Sequence, residues 1–162
     1  MGSIKRGNLI EVEVEEVYID KLLNTPILFL KERAGDRILP IWIGASEAMA
    51  ISLAIHHQNL ERPITHDLMR ILIKTLDADI QNVVIQEVKD GTFYARIHII
   101  RDNSIYEIDA RPSDSIAIAL RFNAGIYVEE NVMERGGSFV LEGGLRKNLE
   151  KLTPETFGKF KL

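Results

Sequence analysis

The chain has 162 residues, 46% of them hydrophobic and 27% charged, which is enough for one folded domain with a substantial core and too little for two. A net charge of −4 supplies no global attraction for a polyanion, and the absence of cysteine removes disulfides, thiolate metal sites and cysteine nucleophiles together. No run approaches the roughly 18–20 apolar residues that span a bilayer, and Lys5-Arg6 is followed by an alternating acidic segment instead of an apolar signal run, so a soluble, cytoplasmic protein is expected.

From Leu9 to Ile19 residues alternate with period two, which predicts a half-buried strand. Strands follow over Pro26–Glu32 and, after a turn at Gly35-Asp36, over Ile38–Ile43. Ser46 reads as the N-cap of a helix carrying Met49, Ala50, Leu53, Ala54 and His57, with Glu47 well placed against the helix dipole. Thr65 reads as the cap of a second helix, with Leu68, Met69, Leu72, Ile73 and Leu76 on one face and an end near Asp77–Asp79. Strands over Asn82–Val88, Phe93–Ile100 and Ile105–Ala110, with turns at Asp90-Gly91 and Asp102-Asn103, predict a meander. Pro112-Ser113-Asp114 starts a third helix that closes around Asn123-Ala124-Gly125. Ile126–Glu129 and Ser138–Leu141 read as short late strands. Residues 143–162, with five basic side chains against two acidic ones, read as a short basic helix and tail appended to a domain of residues 1–142.

Sliding the chain by 67 residues places Val17, Thr25, Ile38, Ile41, Ser46, Ala50, Ile51 and Leu53 on identical residues at 84, 92, 105, 108, 113, 117, 118 and 120. This predicts an α+β fold built from an internally duplicated strand-meander-plus-helix unit, with a mixed or antiparallel sheet and helices packed on it. A feature present in both copies is explained by the fold, which demotes Ser46, Glu47 and Ser113. Asp109 and Arg111 are promoted, because Trp42 and Gly44 stand at their counterparts. Trp42 points away from the face shared by Ile41 and Ile43, which suggests a covered surface and a subunit contact in a homo-oligomer, expected to be a dimer.

Two constellations can carry chemistry. Asp109-Ala110-Arg111-Pro112-Ser113-Asp114 crosses from a strand end to a helix start, where backbone N–H groups and the guanidinium fork of Arg111 suit a phosphate and the two acids suit a divalent ion. The competing reading is a local ion pair that pins the helix start, with Ser113 as its cap. Arg62-Pro63-Ile64-Thr65-His66-Asp67 offers His66 as a general base or metal ligand and Asp67 as its orienter or a second ligand; alternatively both are ordinary helix-start residues. His56 and His57 diverge by about 100° around a helix, so a joint metal site is not expected there. Tyr94, Arg96 and His98 share one strand face, which suits either a stacking and phosphate surface or the solvated side of the sheet, and the solvated side is favoured. No Gly-rich phosphate loop, nucleophile elbow or paired-His zinc motif is present.

Leu39-Pro40-Ile41-Trp42-Ile43-Gly44 with Glu47-Ala48, Arg62 to Leu68, Asp90-Gly91-Thr92-Phe93-Tyr94-Ala95 and Ile108 to Asp114 occur in one order, and with them the chain resembles the bifunctional nuclease family. The likeness covers nearly all of residues 8–135. It implies an α+β domain associated with cleavage of RNA and DNA, and the matching polar positions are Arg62, His66, Asp67, Asp109, Arg111, Ser113 and Asp114. Ser115 stands where alanine is frequent in the family. The expectation is metal-assisted phosphodiester hydrolysis: Asp67, Asp109 and Asp114 hold Mg²⁺ or Mn²⁺, His66 moves protons within that acidic set, and Arg62, Arg111 and Ser113 bind the substrate. The alternative is a non-catalytic oligomeric module that recognises a small anion or a protein partner. Both require the two helix starts to meet in space.

Overall fold

The structure, a computed structural model, describes residues 7–136 and 149–153. In chain order the elements are β1 (Leu9–Asp20), β2 (Thr25–Glu32), β3 (Ile38–Trp42), α1 (Ala45–Ile55), α2 (Thr65–Thr75), β4 (Asp79–Lys89), β5 (Thr92–Arg101), β6 (Ser104–Ala110), α3 (Pro112–Phe122), β7 (Gly125–Glu129), α4 (Glu130–Gly136) and β8 (Leu149–Lys151). Among the described residues these make one mixed sheet in the order β3-β2-β1-β7-β4-β5-β6, with β8 also paired to β1. The fold class is therefore α+β, as the residue pattern predicts. The 67-residue offset carries the bounds of α1 onto those of α3, and each is preceded by a three-stranded antiparallel meander. This is a correspondence of element order and spacing.

Local chemistry accounts for the meanders. Asp90 and Gly91 adopt φ of 50° and 76°, and Asp102 and Asn103 adopt 49° and 62°, the left-handed pairs that a two-residue hairpin needs. Glycine at 91 meets that demand without a side-chain penalty. Alternation then sends Val83, Ile85, Ala95 and Ile97 into the core, where α3 covers β4 and β5 with Ile116 and Ile118, while α1 lies over β1 and β2 with Ala50 and Ile51. A smaller cluster of Ile27, Phe29 and Ile38, with Tyr18 and Leu149 against it, forms separately.

Three local expectations are corrected. The helix N-caps are Gly44, Ile64 and Arg111, none with a side-chain oxygen capping its helix, so Ser46, Thr65 and Ser113 lie inside the first turns. The stripe Leu68, Leu72, Leu76 on α2 is exposed, because α2 rests against α3 and faces the core through His66, Met69 and Ile73. A short helix, α4, follows β7 directly. Within the segment read as a separate basic tail, Leu149–Lys151 is a strand on β1 and Leu152 is buried in the core; the expected strand Ser138–Leu141 and the segment from Pro154 lie outside the described residues. No helix among the described residues is long and apolar enough to cross a membrane.

Candidate functional site

The first turns of α1, α2 and α3 meet. His66, on the first turn of α2, is 7% exposed and places Nε2 3.0 Å from Oδ1 of Asp114 on α3. The other oxygen of Asp114 accepts from Arg111 Nε at 2.7 Å, and Arg111 Nη2 donates to Glu47 Oε1 of α1 at 2.9 Å. Glu47, Arg111, Asp114 and His66 thus form one continuous chain of charge-assisted hydrogen bonds across three helix starts. Burial alone would raise the pKa of Asp114, but hydrogen bonds from Arg111 and His66 and their charges outweigh it and hold the carboxyl below the usual aspartate range. An ionised Asp114 only accepts, so Nε2 of His66 donates to it and Nδ1 is the ring nitrogen outside that bond.

A second network fixes the start of α2. Asp67 Oδ2 accepts from the Ile64 N–H at 3.0 Å, and Oδ1 accepts from Arg121 Nε at 2.6 Å. Arg121, with a side chain 8% exposed, also donates to Ala117 O and Ala50 O, so it ties α2, α3 and α1 together. Here too burial pushes the carboxyl up, while the bonds from Arg121 and Ile64 and the nearby charges win and lower the Asp67 pKa.

Asp109 belongs to neither network. The pleat of β6 turns it to the face opposite Ile108, where its carboxylate, 70% exposed, meets Arg96 at 3.0 Å. Arg62 sits exposed in the loop before α2, outside both networks. The joint metal centre expected from Asp67, Asp109 and Asp114 is not formed: each acid is committed to a different cation, and among the described residues no group of three His, Asp or Glu side chains could hold a metal ion. The donor set does not fit a dedicated cage. Ser113 is buried in the first turn of α3 and lines a cavity of about 400 Å³ beside the Arg111 cluster, together with Trp42, Gly44, Thr92, Phe93 and Arg111. A separate cavity of about 450 Å³ is lined by His57, Asp67, Arg70 and Arg121; its acid and one guanidinium are already bonded to each other.

Two members of these networks, Glu47 and Arg121, are not among the site residues expected from the sequence. Glu47 was demoted as a repeated feature, although it occupies the counterpart of Asp114 and both acids grip Arg111. Arg121 carried one signal, a basic residue among the apolar positions of a helix that buries Ile116, Ala117, Ile118 and Ala119 just before it.

A family model described as the bifunctional nuclease domain matches residues 28–140, a span that contains every residue of both networks. An uncharacterised protein of Mycobacterium tuberculosis strain H37Rv is 42% identical over 151 residues, covering 93% of this chain and 90% of its own length. Bifunctional nuclease 1 of Oryza sativa subsp. japonica is 22% identical over 119 residues, which is 72% of this chain but 36% of the rice protein. The match over residues 28–140, most of the chain, leads to one assignment: the chain belongs to the bifunctional nuclease domain family.

Proposed function

We propose that the protein is a nuclease that cleaves phosphodiester bonds in RNA and DNA at the cluster of Glu47, Arg111, Asp114 and His66. The observation that carries the reading is the 3.0 Å contact between His66 and Asp114 beside Arg111, in a chain of this family. Asp114 orients His66 and sets its tautomer; His66 Nδ1 takes or gives the proton; the outward donors of Arg111 hold the phosphate. Glu47 and Asp114 carry two negative charges against the one of Arg111, so the phosphate is held by directed N–H donors and by the roughly +0.5 charge at each helix start rather than by a surplus of basic residues. A divalent ion that takes part would arrive with the phosphate, since Mg²⁺ is commonly held by one or two carboxylates and substrate oxygens.

The test is cleavage of labelled single-stranded RNA and DNA by highly purified protein, with Mg²⁺, Mn²⁺ or chelator. Loss of a general acid or base typically costs about 10²–10⁴ in rate. His66→Ala and Asp114→Asn are expected to lose at least the lower figure while keeping a folded circular dichroism spectrum, and Arg111→Ala is expected to raise KM most. Undiminished activity in folded His66→Ala and Asp114→Asn would refute the assignment.

The depth of His66 favours a second reading, in which the same network is a latch and the protein binds a small anion or a protein partner without turnover. Affinity for nucleic acid that is weak and insensitive to salt supports this module, because backbone binding weakens steeply as salt rises.

A further inference from the structure

Trp42 is the single tryptophan of the chain and the last residue of β3. Its cross-strand neighbour Ile27 is fully buried, yet the indole itself is 53% exposed. It stands at the end of β3, an edge strand of the sheet. It lines the cavity of about 400 Å³ that also takes in the Gly91-Thr92-Phe93 turn and the Arg111-Pro112-Ser113 start of α3, a volume within the range of roughly 300–1,000 Å³ usual for ligand sites. Arg111 is 65% exposed; one N–H reaches Asp114 and one reaches Glu47, and its other donors have no hydrogen-bond partner among the described residues. An aromatic face and an open guanidinium on one concave wall are the two parts of a single-strand nucleic-acid site: the ring takes a base and the fork takes the adjoining phosphate.

We propose that Trp42 is a base-stacking platform and that the site takes unpaired bases of RNA or DNA in preference to duplex. The inference rests on the phosphodiester reading of the Arg111 cluster and adds to it a substrate class and a specificity residue. Two physical points select this occupant. A base inside a duplex is covered on both faces by its neighbours and offers nothing for an indole to stack on. An apolar surface of a second copy would cover the remaining Arg111 donors without pairing them, a cost that a phosphate removes. The acids Glu47 and Asp114 disfavour tracking along many phosphates, so the base contributes a large share of the binding.

Because the chain has one tryptophan, its emission reports this ring alone. The protein is mixed with a short single-stranded oligonucleotide, with the same sequence as a duplex, and with an abasic strand of equal length, and emission is read before turnover. Quenching by the single strand, with much weaker effects from the duplex and the abasic strand, is the expected result. Trp42→Ala, followed by anisotropy of a labelled strand, is expected to weaken single-strand binding by on the order of 5- to 150-fold, with Trp42→Phe recovering most of it. Equal response to base-bearing and abasic strands, or equal binding of duplex and single strand, overturns the proposal. So does an emission that shifts with protein concentration and ignores every strand, which assigns Trp42 to a contact between copies. A protein that is quenched but does not cleave fails the nuclease reading and keeps the platform; one that cleaves with its emission unmoved keeps the nuclease reading and loses the platform.

Discussion

Removing the carboxylate of Asp67 leaves Arg121 as a buried guanidinium with two carbonyl acceptors and no counter-charge, and leaves the Ile64 N–H without its acceptor at the start of α2. Breaking a fully buried pair in this way costs about 3–5 kcal/mol. The Asp67 side chain is 38% exposed, so water replaces part of what is lost and the pair contributes nearer to roughly 2 kcal/mol. The lost bond at the helix start adds about 1 kcal/mol. Asp67→Ala is therefore expected to cost about 3 kcal/mol, or a fall in Tm of about 6–12 °C at roughly 2–4 °C per kcal/mol for a domain of this size. Arg121→Met removes the buried charge instead and leaves a carboxylate that water can reach, so it is expected to cost only about 1–2 kcal/mol. The double variant should be about as stable as Arg121→Met alone, since the uncompensated charge is gone. Urea unfolding with a shared slope measures all three. If Asp67→Ala costs less than Arg121→Met, or the two effects simply add, the reasoning from the buried guanidinium is wrong.

Acid should destabilise the protein in a defined window. Asp67, Asp114 and Glu32 all have folded pKa values below their ordinary ones; for Glu32 the main cause is its hydrogen bond from Arg37. Groups lowered in this way hold fewer protons when folded, so their contribution is complete above the unfolded values of about 4 and is lost as the pH falls through the lower folded values. Stability carried by these groups should hold between pH 7 and about 5 and fall in acid, and Asp67→Asn should flatten part of that limb; a variant with an unchanged acid limb counts against the Asp67 share. Arg37 gathers Glu32 of β2 and Glu130 of α4, both within 2.9 Å, in a partly buried cluster. Arg37→Ala should cost about 3 kcal/mol by leaving two acids facing each other, and Glu130→Gln in the same chain should recover part of it in thermal melts.

Much of the fold was legible because its signals are local. Alternation located the strands of both meanders, Asp90-Gly91 and Asp102-Asn103 located their turns, and Asn123 marked the left-handed end of α3. What escaped depends on tertiary context. β8 is three residues long and carries no periodicity, and α4 buries only Val132 and Met133. The stripe on α2 was identified, but which side of a helix faces inward is decided by its neighbour, and α3 takes the side of His66 and Ile73. The site divides in the same way. That His66 and Asp67 approach α3 follows from no spacing, since His66 and Asp114 are 48 positions apart. The departure of Asp109 was readable: the strand parity that sets it opposite Ile108 also removes it from a helix-side cluster. Repetition misled at Glu47, where one position serves the fold and the polar network at once.

The place of β7 in the sheet bears on how the chain assembles. Its strand hydrogen bonds run antiparallel to β1 on one side and parallel to β4 on the other, so the two meanders join as one sheet only through a segment that leaves the ribosome after both of them. Until Gly125–Glu129 is synthesised, β1 and β4 each present a bare edge, and each such edge is a template for pairing with another nascent chain. Closing that gap pairs Leu9 with Glu129 across nearly the whole domain, a contact of high sequence separation whose loop-closure entropy makes it a slow and late step.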